Sequence, residues 1–314
     1  MKLEIRPYQQ MDQETWDEMI SQSFNASLIH FRSYMDYHQD RFHDDSVMIY
    51  LDTQLVAVFP ATSSDYKVIS HSGLTFGGLI FCQVLEVQYI LRIFDALKKH
   101  YELKGITRIK ITGAPEFYWT SKIAFDNFQI AAKKASFNEC DDKIYHTLSL
   151  PTKIQDRGKR WGIKLAQANN LNMRLSNDYK GFWENLLIPN LQDRHNAKPT
   201  HSLEEIVLLA NRFPSNIELH VVYRDEEMMA GAVTYAHGQV IHVQYTASSP
   251  VGRKFRAVDL LYQDIIQQAS SNFKFLSMGI STDPKTGQAN KGLVKWKESW
   301  GAVGYCSKAW YIDI

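Results

Sequence analysis

The sequence predicts an α+β, or mixed α/β, protein in which one order of elements is used twice. In each half, the patterns predict a helix, antiparallel strands, a helix, a strand, a helix and a final strand. The chain has 314 residues, which suits two domains of about 150 residues better than one. Hydrophobic residues make up 45% and charged residues 22%, which is typical of globular proteins.

The elements of the first half are defined by hydrophobic periodicity and by turn residues. Apolar residues fall on one helical stripe from 85 to 104, and Gly105 is a typical residue just past a helix end. The β-rich runs 46–51 and 55–61 flank the turn Asp-Thr-Gln and predict a hairpin. The remaining predictions are helices at 14–24 and 121–137, and strands at 67–81, 106–112 and 143–151.

The second half repeats this order. Ser202 and Glu205 fit a capping box, so a helix should begin at Leu203. The segment 248–256 is predicted as a basic loop that leads into a helix. The other predictions are a helix at 179–195 and strands at 217–224, 228–236, 240–248, 273–281 and 304–314.

The charge and the cysteines exclude several classes of protein. A net charge of +1 gives no overall basic footprint for nucleic acid. Cys82, Cys140 and Cys306 are far apart and lack Cys-x-x-Cys spacing, which favours a reduced, cytoplasmic protein without a bound metal. The polar start indicates no signal peptide, and no window approaches the roughly 20 apolar residues of a membrane helix. We therefore expect a cytoplasmic protein without a membrane partner; the oligomeric state stays open.

Five segments carry a resemblance to known acyltransferases. They are His71–Phe81, Leu191–Ile206, His242–Ser248, Met278–Thr282 and Gly292–Ala302. Together with the doubled element order, they resemble the FemAB/BioF2-like branch of the GCN5-related N-acetyltransferase (GNAT) family, and in particular acyltransferases of bacterial surface-polysaccharide gene clusters. The likeness spans most of the chain, and its motifs are more specific for the family than for a substrate.

The resemblance implies two tandem GNAT domains, each a mostly antiparallel central sheet flanked by helices. The boundary is expected between Pro151 and Arg160, which gives domains 1–153 and 154–314. The first domain would lack its own cofactor and help to wall the acceptor cleft. The second would bind the donor and catalyse the reaction.

The activity implied by the resemblance is acyl transfer. The acyl group, most simply acetyl from acetyl-coenzyme A, would move to an amine of an amino sugar or sugar-nucleotide in surface-polysaccharide synthesis. One alternative is a FemAB-type enzyme whose donor is an aminoacyl-tRNA, the one nucleic-acid partner considered; many such enzymes carry a coiled-coil arm, whose heptads the sequence lacks. The other alternative is a non-catalytic binding or scaffold protein of the same fold.

A lysine-containing segment near the end of the sequence carries the main catalytic prediction. Lys297-Glu298-Ser299-Trp300-Gly301 resembles the Lys-x-x-aromatic-Gly segment beside the acceptor site of FemAB proteins. The resemblance implies that Lys297 stabilises negative charge during acyl transfer, with Glu298 beside it in the catalytic set. A buried lysine needs a partner or a function, so the tryptophans are expected to bury the segment and to hold Lys297 in place.

The predicted strand Val240–Ser248 supplies further candidates. The resemblance implies that it separates from its neighbour and leaves room for donor and acceptor. His242 is then a candidate base, Tyr245 a candidate acid for a leaving thiol, and Gln244 a substrate contact; a solvated sheet face is the alternative. Alternation predicts two faces, one with Ile241, Val243 and Tyr245 and the other with His242, Gln244 and Thr246.

The cofactor-binding prediction falls on the segment after this strand. In the GNAT fold, backbone amides of this loop, at a helix N-terminus, bind the pyrophosphate of coenzyme A. A glycine would allow close approach and the cations would supply charge, but the family's glycine pattern is incomplete here, and a solvated basic turn is the alternative. The candidates are Ser248, Ser249, Gly252, Arg253, Lys254 and Arg256.

The acceptor-site candidates lie at the end of the predicted helix 179–195 and in the loop after it. The resemblance implies that Arg194 orients a phosphate or carboxylate of the acceptor. His195 would assist proton transfer, and His201 would contact the acceptor. Helix capping followed by an ordinary surface loop is the alternative.

Overall fold

A computed structural model describes residues 2–314, apart from three side chains, those of Asp141, Arg194 and His195. It divides into two compact units. The first ends at Ile144 and also contains Tyr305–Ile314, whereas the second is Tyr145–Gly304.

This division differs from the predicted bounds 1–153 and 154–314. The chain's final strand, Val303–Asp313, pairs antiparallel with Arg108–Thr112 of the first unit, so the last residues return to that unit. This pairing joins residues about 200 positions apart, and local sequence patterns cannot predict such a contact. The functional roles predicted for the two halves remain predictions.

The first unit begins with a three-stranded antiparallel sheet in the order β1-β2-β3. The hairpin predicted for its second and third strands is present. Its helix α1 (Gln13–Gln22) buries Trp16, Met19 and Ile20. The strands are β1 (Leu3–Pro7), β2 (Val47–Leu51) and β3 (Gln54–Phe59).

A second set of strands in the first unit consists of β4 (Thr62–Ser64), β5 (Lys67–Ile69) and β6 (Arg108–Thr112). The strands β4 and β5 pair antiparallel, and β5 and β6 pair in parallel. The strand predicted at 67–81 therefore ends early. His71 (φ 60°) and Gly78 (φ 94°) adopt left-handed backbone conformations, which regular strands exclude.

The other helices of the first unit are α2 (Arg32–Met35), α3 (Val87–Glu102) and α4 (Lys122–Lys134). The apolar stripe predicted for α3 is confirmed, because this helix buries Ile90, Ile93, Phe94, Leu97 and Tyr101. Short 3₁₀ turns occur at Gln10–Asp12, Leu28–His30, Asp36–His38 and Glu116–Tyr118.

The second unit is built on a sheet in the order β7-β12-β11-β10-β9-β8. Among the described residues of this unit, every neighbouring pair in the sheet is antiparallel except β11 and β12. The predicted α+β class, with mostly antiparallel sheets and flanking helices, is confirmed. The strands are β7 (Asn138–Ser149, of which residues 145–149 belong here), β8 (Leu171–Ser176), β9 (Ile217–Arg224), β10 (Glu227–His237), β11 (Val240–Ser248) and β12 (Phe275–Ile280).

Several helices of the second unit were not predicted from the sequence. The capping box predicted for the helix Leu203–Arg212 (α8) is confirmed, because Ser202 Oγ accepts from the Glu205 N–H and the Glu205 carboxylate accepts from the Ser202 N–H. By contrast, the strand β8 and the helices at 157–168 (α5), 250–254 (α9) and 291–298 (α11) lie in segments that had no predicted element or were treated as loops. The helices are α5 (Arg157–Ala168), α6 (Tyr179–Phe182), a π-helical segment (Trp183–Leu187), α7 (Ile188–His195), α8 (Leu203–Arg212), α9 (Pro250–Lys254), α10 (Ala257–Ala269) and α11 (Lys291–Glu298); β13 (Val303–Asp313) follows.

Candidate active site

Two central strands of the second unit separate partway along their length. The strands β11 and β12 pair in parallel at three positions, the last of which joins His242 to Ser277. Beyond this point β11 continues to Ser248 and β12 to Ile280, and no further pair joins them within the described residues. This gap, which we call the β11–β12 fork, is the separation that the resemblance implied.

A β-bulge lies on β11 in the open part of the fork. On β10, Val233 pairs with Tyr245 and Thr234 pairs with Val243, so Gln244 has no partner there. Bulges of this kind leave one residue outside the ladder and re-aim its neighbours, often beside active sites. Within the described residues, Gln244 is therefore outside the pairing of both neighbouring strands.

The bulge overturns the predicted faces of β11. Val243 belongs to the core cluster that includes α10, whereas the Tyr245 ring lies 5.1 Å from the ring of Trp183. Thr246, on the other hand, places its Oγ1 3.1 Å from the hydroxyl of Tyr262 on α10. One extra residue reverses the alternation that follows it, so the prediction that Tyr245 shares a face with Val243 is wrong.

His242 lies at the closed end of the fork. Its Nδ1 is 2.9 Å from Oγ of the buried Ser277, and its ring lies beside Gly279, where a Cβ would be 3.5 Å from Cε1. Burial, together with the nearby positive charge of Lys297, lowers the pKa of His242 to about 4. The imidazole is therefore neutral at pH 7 and only a weak base; its catalytic role stays a prediction.

Lys297 lies in the last turn of α11 and is only 3% exposed. Its Nζ donates to the carbonyl oxygens of Gly279 (2.9 Å) and Ile280 (2.8 Å), where the register of β12 shifts. Burial lowers the pKa of Lys297 to about 7. An ammonium has three hydrogens and a neutral amine has two, so both protonation states can keep both hydrogen bonds. Lys297 can therefore change charge near pH 7 without losing its position.

A second histidine, which the sequence analysis missed, lies near Lys297. The Nδ1 of the buried His146 is 2.8 Å from Ser281 Oγ. Its Nε2 is 3.9 Å from a carboxylate oxygen of Glu298, whose side chain is 58% exposed. Burial and the charge of Lys297 lower the pKa of His146. Only the pairing of β7 with β12 brings His146 here, so no local sequence signal could have found it.

The partly buried Tyr245 pairs with the buried His201. The backbone N–H of His201 donates to the Tyr245 hydroxyl (3.2 Å), and that hydroxyl shares a 2.6 Å hydrogen bond with His201 Nδ1. The indole N–H of Trp183 donates to the His201 carbonyl (3.3 Å). Burial raises the pKa of Tyr245. The structure thus gives His201 a positioning contact, and its predicted contact with the acceptor remains untested.

The tryptophans of α11 and the turn after it surround a different lysine. Lys159 Nζ lies 4.6 Å from the ring centre of Trp300 and 5.1 Å from that of Trp296. It also donates to Asp259 (3.1 Å), whose second oxygen lies 2.6 Å from Arg256. Lys159 and Asp259 are both buried. We call this group the Lys159 cage; it ties α5, α10 and α11 together.

Tyr262 connects the Lys159 cage to the fork. Its ring stacks on Trp300 with the centres 5.4 Å apart, and its hydroxyl lies 3.1 Å from Thr246 Oγ1 at the open end of β11. Burial raises the pKa of Tyr262 to about 12, so the hydroxyl stays protonated at pH 7. The two tryptophans therefore support the fork through Tyr262, and their predicted role in holding Lys297 stays a prediction.

The segment predicted to bind coenzyme A is folded differently from a phosphate-binding loop. Ser249 caps the short helix α9, and its Oγ accepts from the Gly252 N–H (2.9 Å). The Arg253 N–H donates to the Ser249 carbonyl (2.9 Å), and the Arg253 guanidinium donates to the Ser248 carbonyl (2.8 Å). These groups are therefore engaged within the segment. The loop expected from the sequence is a capped helical turn.

Gly252 has a packing contact that the sequence did not indicate, and its predicted contact with a cofactor stays a prediction. A Cβ at this position would lie 1.9 Å from the carbonyl oxygen of Met229 on β10, so the glycine is required for packing against that strand. Arg256 is engaged by Asp259, and Lys254 lies over the ring of Phe255 at 5.8 Å. The predictions for Arg194 and His195 concern side chains outside the described residues; their backbone closes α7.

We expect Gly252→Ala to destabilise the protein by about 3 kcal/mol, because the backbone of β10 must move to admit the methyl group. Urea unfolding followed by fluorescence would measure the loss. Gly292→Ala is the matched control, since a Cβ there meets nothing closer than 3.6 Å. Equal stability of the two variants would contradict the packing role of Gly252.

The first unit contains a separate polar cavity of about 220 Å³. Arg32 is buried there, paired with Asp36 (2.6 Å) and Asp44 (2.7 Å), and its guanidinium carbon lies 3.9 Å from the ring centre of Tyr8. Its Nε and Nη1 atoms, the Tyr8 hydroxyl and His71 Nδ1 have no hydrogen-bond partner among the described residues. The cavity is lined by Tyr8, Gln10, Arg32, Met35, Asp36, His38, Gln39, Phe42, Asp44 and His71.

Two negative observations concern residues 2–314. No helix in this range combines the length and the apolar character that crossing a membrane requires. The same residues contain no group of three or more His, Cys, Asp or Glu side chains arranged to hold a metal ion.

Comparison with known proteins identifies the class to which this fold and fork belong. Residues 183–284 match the family model described as "Acetyltransferase (GNAT) domain". No curated protein matches the sequence significantly. Residues 183–284 are therefore similar to a GNAT domain, and they include β11 and β12, which form the fork.

Solved structures extend the similarity to the whole chain. FemX superposes with a TM-score of 0.71 at 12% identity, covering 99% of this chain and 97% of FemX. L-PGS from Bacillus licheniformis gives 0.63 at 10%, covering 98% and 92%. A tandem GNAT protein from the clavulanic acid biosynthesis pathway gives 0.51 at 9%, covering 99% and 98%. At these identities the likeness concerns the fold, and it confirms the resemblance to FemAB-like tandem GNAT proteins.

Proposed function

We propose that this protein transfers an acyl group to an amine at the β11–β12 fork. The observation that carries the proposal is the open strand edge beyond His242, with the bulged Gln244 outside both ladders. An exposed edge can bind an extended donor as an added strand. The N–H of Gln244 is the candidate donor to the carbonyl oxygen under attack, where developing negative charge needs a hydrogen bond.

The chemistry assigns roles to the groups around the fork. The amine nitrogen bonds to the acyl carbon, the bond from that carbon to the thiol sulfur or ester oxygen breaks, and the amine loses a proton. Lys297, held by two carbonyl oxygens, supplies positive charge beside the closed end of the fork. The exposed Glu298 and the buried His146 form a route by which the proton can reach solvent.

The acceptor in this proposal is an amine of an amino sugar or sugar-nucleotide. The resemblance to acyltransferases of surface-polysaccharide clusters supports it.

The simplest donor is acetyl-coenzyme A, as the GNAT match suggests. An aminoacyl-tRNA is the second candidate, and one observation favours it: the N–H groups of Gly252 and Arg253, expected to face a pyrophosphate, donate to Ser249 instead. Similar folds include the C-terminal domain of a putative lysylphosphatidylglycerol synthetase from Agrobacterium fabrum.

A donor-by-acceptor assay would test the proposal. The purified protein would be incubated with acetyl-coenzyme A or with a mixture of aminoacyl-tRNAs, against a panel of amino sugars and their nucleotide derivatives. Mass spectrometry should detect an acylated amine with one of the two donors. If neither donor yields a product with any acceptor, the proposal fails in favour of the non-catalytic protein of the same fold.

A further inference from the structure

The helix α5 presents a stripe of cations and one tryptophan to solvent. Arg157, Arg160, Trp161 and Lys164 follow the spacing i, i+3, i+4, i+7, so they share one face of the helix. All four are exposed, and Trp161 is 59% exposed. No member of this group, which we call the α5 stripe, forms an ion pair within the described residues.

A concave surface of about 440 Å³ adjoins the α5 stripe. Three cations line it, namely Arg160 and Lys164 of the stripe together with Lys153, and its lining contains no acidic side chain. Isoleucines form its apolar part, and three glutamines supply hydrogen-bond donors and acceptors. Its volume falls within the range of sites for small ligands. The lining consists of Thr152, Lys153, Ile154, Arg160, Ile163, Lys164, Gln167, Gln263, Ile266 and Gln267.

We propose that the α5 stripe and this concave surface bind a single-stranded segment of RNA. The cations contact phosphates, a base stacks on Trp161, and the concavity takes a neighbouring nucleotide against Gln263 and Gln267. Cationic grooves with exposed aromatic rings bind single strands in this way. The inference rests on the second donor proposed above, an aminoacyl-tRNA, and assigns its contact surface. Because the whole chain has a net charge of only +1, its composition did not indicate this local cationic patch.

The geometry favours RNA over an anionic membrane. A helix that lies on a membrane buries an apolar face opposite its cations. The opposite face of α5, with Lys159, Gly162, Ile163 and Ala166, is already buried inside the protein. Trp161 lies on the same side as the cations, where it can stack on a base beside a bound phosphate.

Fluorescence anisotropy with a labelled tRNA acceptor minihelix ending in a single-stranded 3′ terminus would test the inference. We expect binding that weakens about tenfold or more in Arg160→Glu/Lys164→Glu, and roughly tenfold in Trp161→Ala. Lys133→Glu/Lys134→Glu is the matched control: it makes the same charge change on two exposed lysines of α4, and its binding should fall far less.

Three outcomes would overturn the inference. They are no binding by the wild-type protein, equal loss in the control variant, or stripe-dependent binding to phosphatidylglycerol vesicles without binding to the minihelix. Because anisotropy needs no turnover, the result is separate from that of the transfer assay. Acetyl transfer by a wild-type protein that does not bind the minihelix would keep the proposed acyl transfer and reject the RNA surface.

Discussion

Lys297→Met should lower acyl transfer by about two to three orders of magnitude, because a group that stabilises transition-state charge typically contributes that much. The methionine fills a similar volume but carries no charge near Gly279 and Ile280. The rate of product formation with the donor identified by the transfer assay would measure the loss. Lys295→Met, an exposed lysine on the same helix, should keep nearly full activity.

The variant Lys297→Met also tests how the stability of the protein depends on pH. Burial lowers the pKa of Lys297 from its ordinary value of 10.5 to about 7, so between these values the unfolded chain binds more protons than the native protein. Stability conferred by this position therefore rises with pH in that window. From pH 7 to pH 10, the free energy of unfolding of the wild-type protein should rise by on the order of a few kcal/mol relative to that of Lys297→Met.

Urea unfolding at several pH values would measure this difference, again with Lys295→Met as the control. A constant difference between the wild-type protein and Lys297→Met across the window would mean that Lys297 keeps its ordinary pKa. In that case the lysine stays charged across the window, and its hydrogen bonds to the two carbonyl oxygens offset the free-energy cost of burying the ammonium. An active Lys297→Met variant would instead remove Lys297 from the proposed mechanism.

Local features of the fold could be predicted from the sequence because they depend on neighbours in the chain. The capping box of Ser202 and Glu205, the β2–β3 hairpin and the buried stripe of α3 each depend on a few adjacent residues. The burial of Lys297 was also predictable, since two tryptophans flank it. These features follow from turn chemistry, capping and periodicity.

The parts of the candidate site that escaped prediction depend on register between distant segments. Gln244 leaves the ladder because of how β10 and β11 align, and His146 reaches Lys297 only because β7 pairs with β12. Gly252 resembled a phosphate-loop glycine, yet its spacing cannot reveal that the Met229 carbonyl lies against it. Such contacts form between residues far apart in sequence, where single-chain patterns carry little information.

The second large expected effect is a loss of stability when the Lys159 cage is broken. Asp259→Ala should destabilise the protein by about 3–5 kcal/mol, because removing one partner leaves the buried ammonium of Lys159 without its counter-charge. The pair is well buried, with side-chain exposures of 6% and 5%, so solvent cannot replace the lost carboxylate. Arg256 also loses its partner. The shift of the urea midpoint would measure this loss.

A double variant separates the charge of the cage from its packing. In Lys159→Met/Asp259→Leu both charges are replaced by apolar groups of comparable size, and buried pairs replaced in this way often lose little stability. Most of the stability lost in Asp259→Ala should therefore return, while Trp296 and Trp300 keep an apolar contact. If the double variant is as unstable as Asp259→Ala, the tryptophans depend on the cation itself. The rings would then hold α11 and Lys297 in place through a charged group that the sequence placed over a hundred residues away.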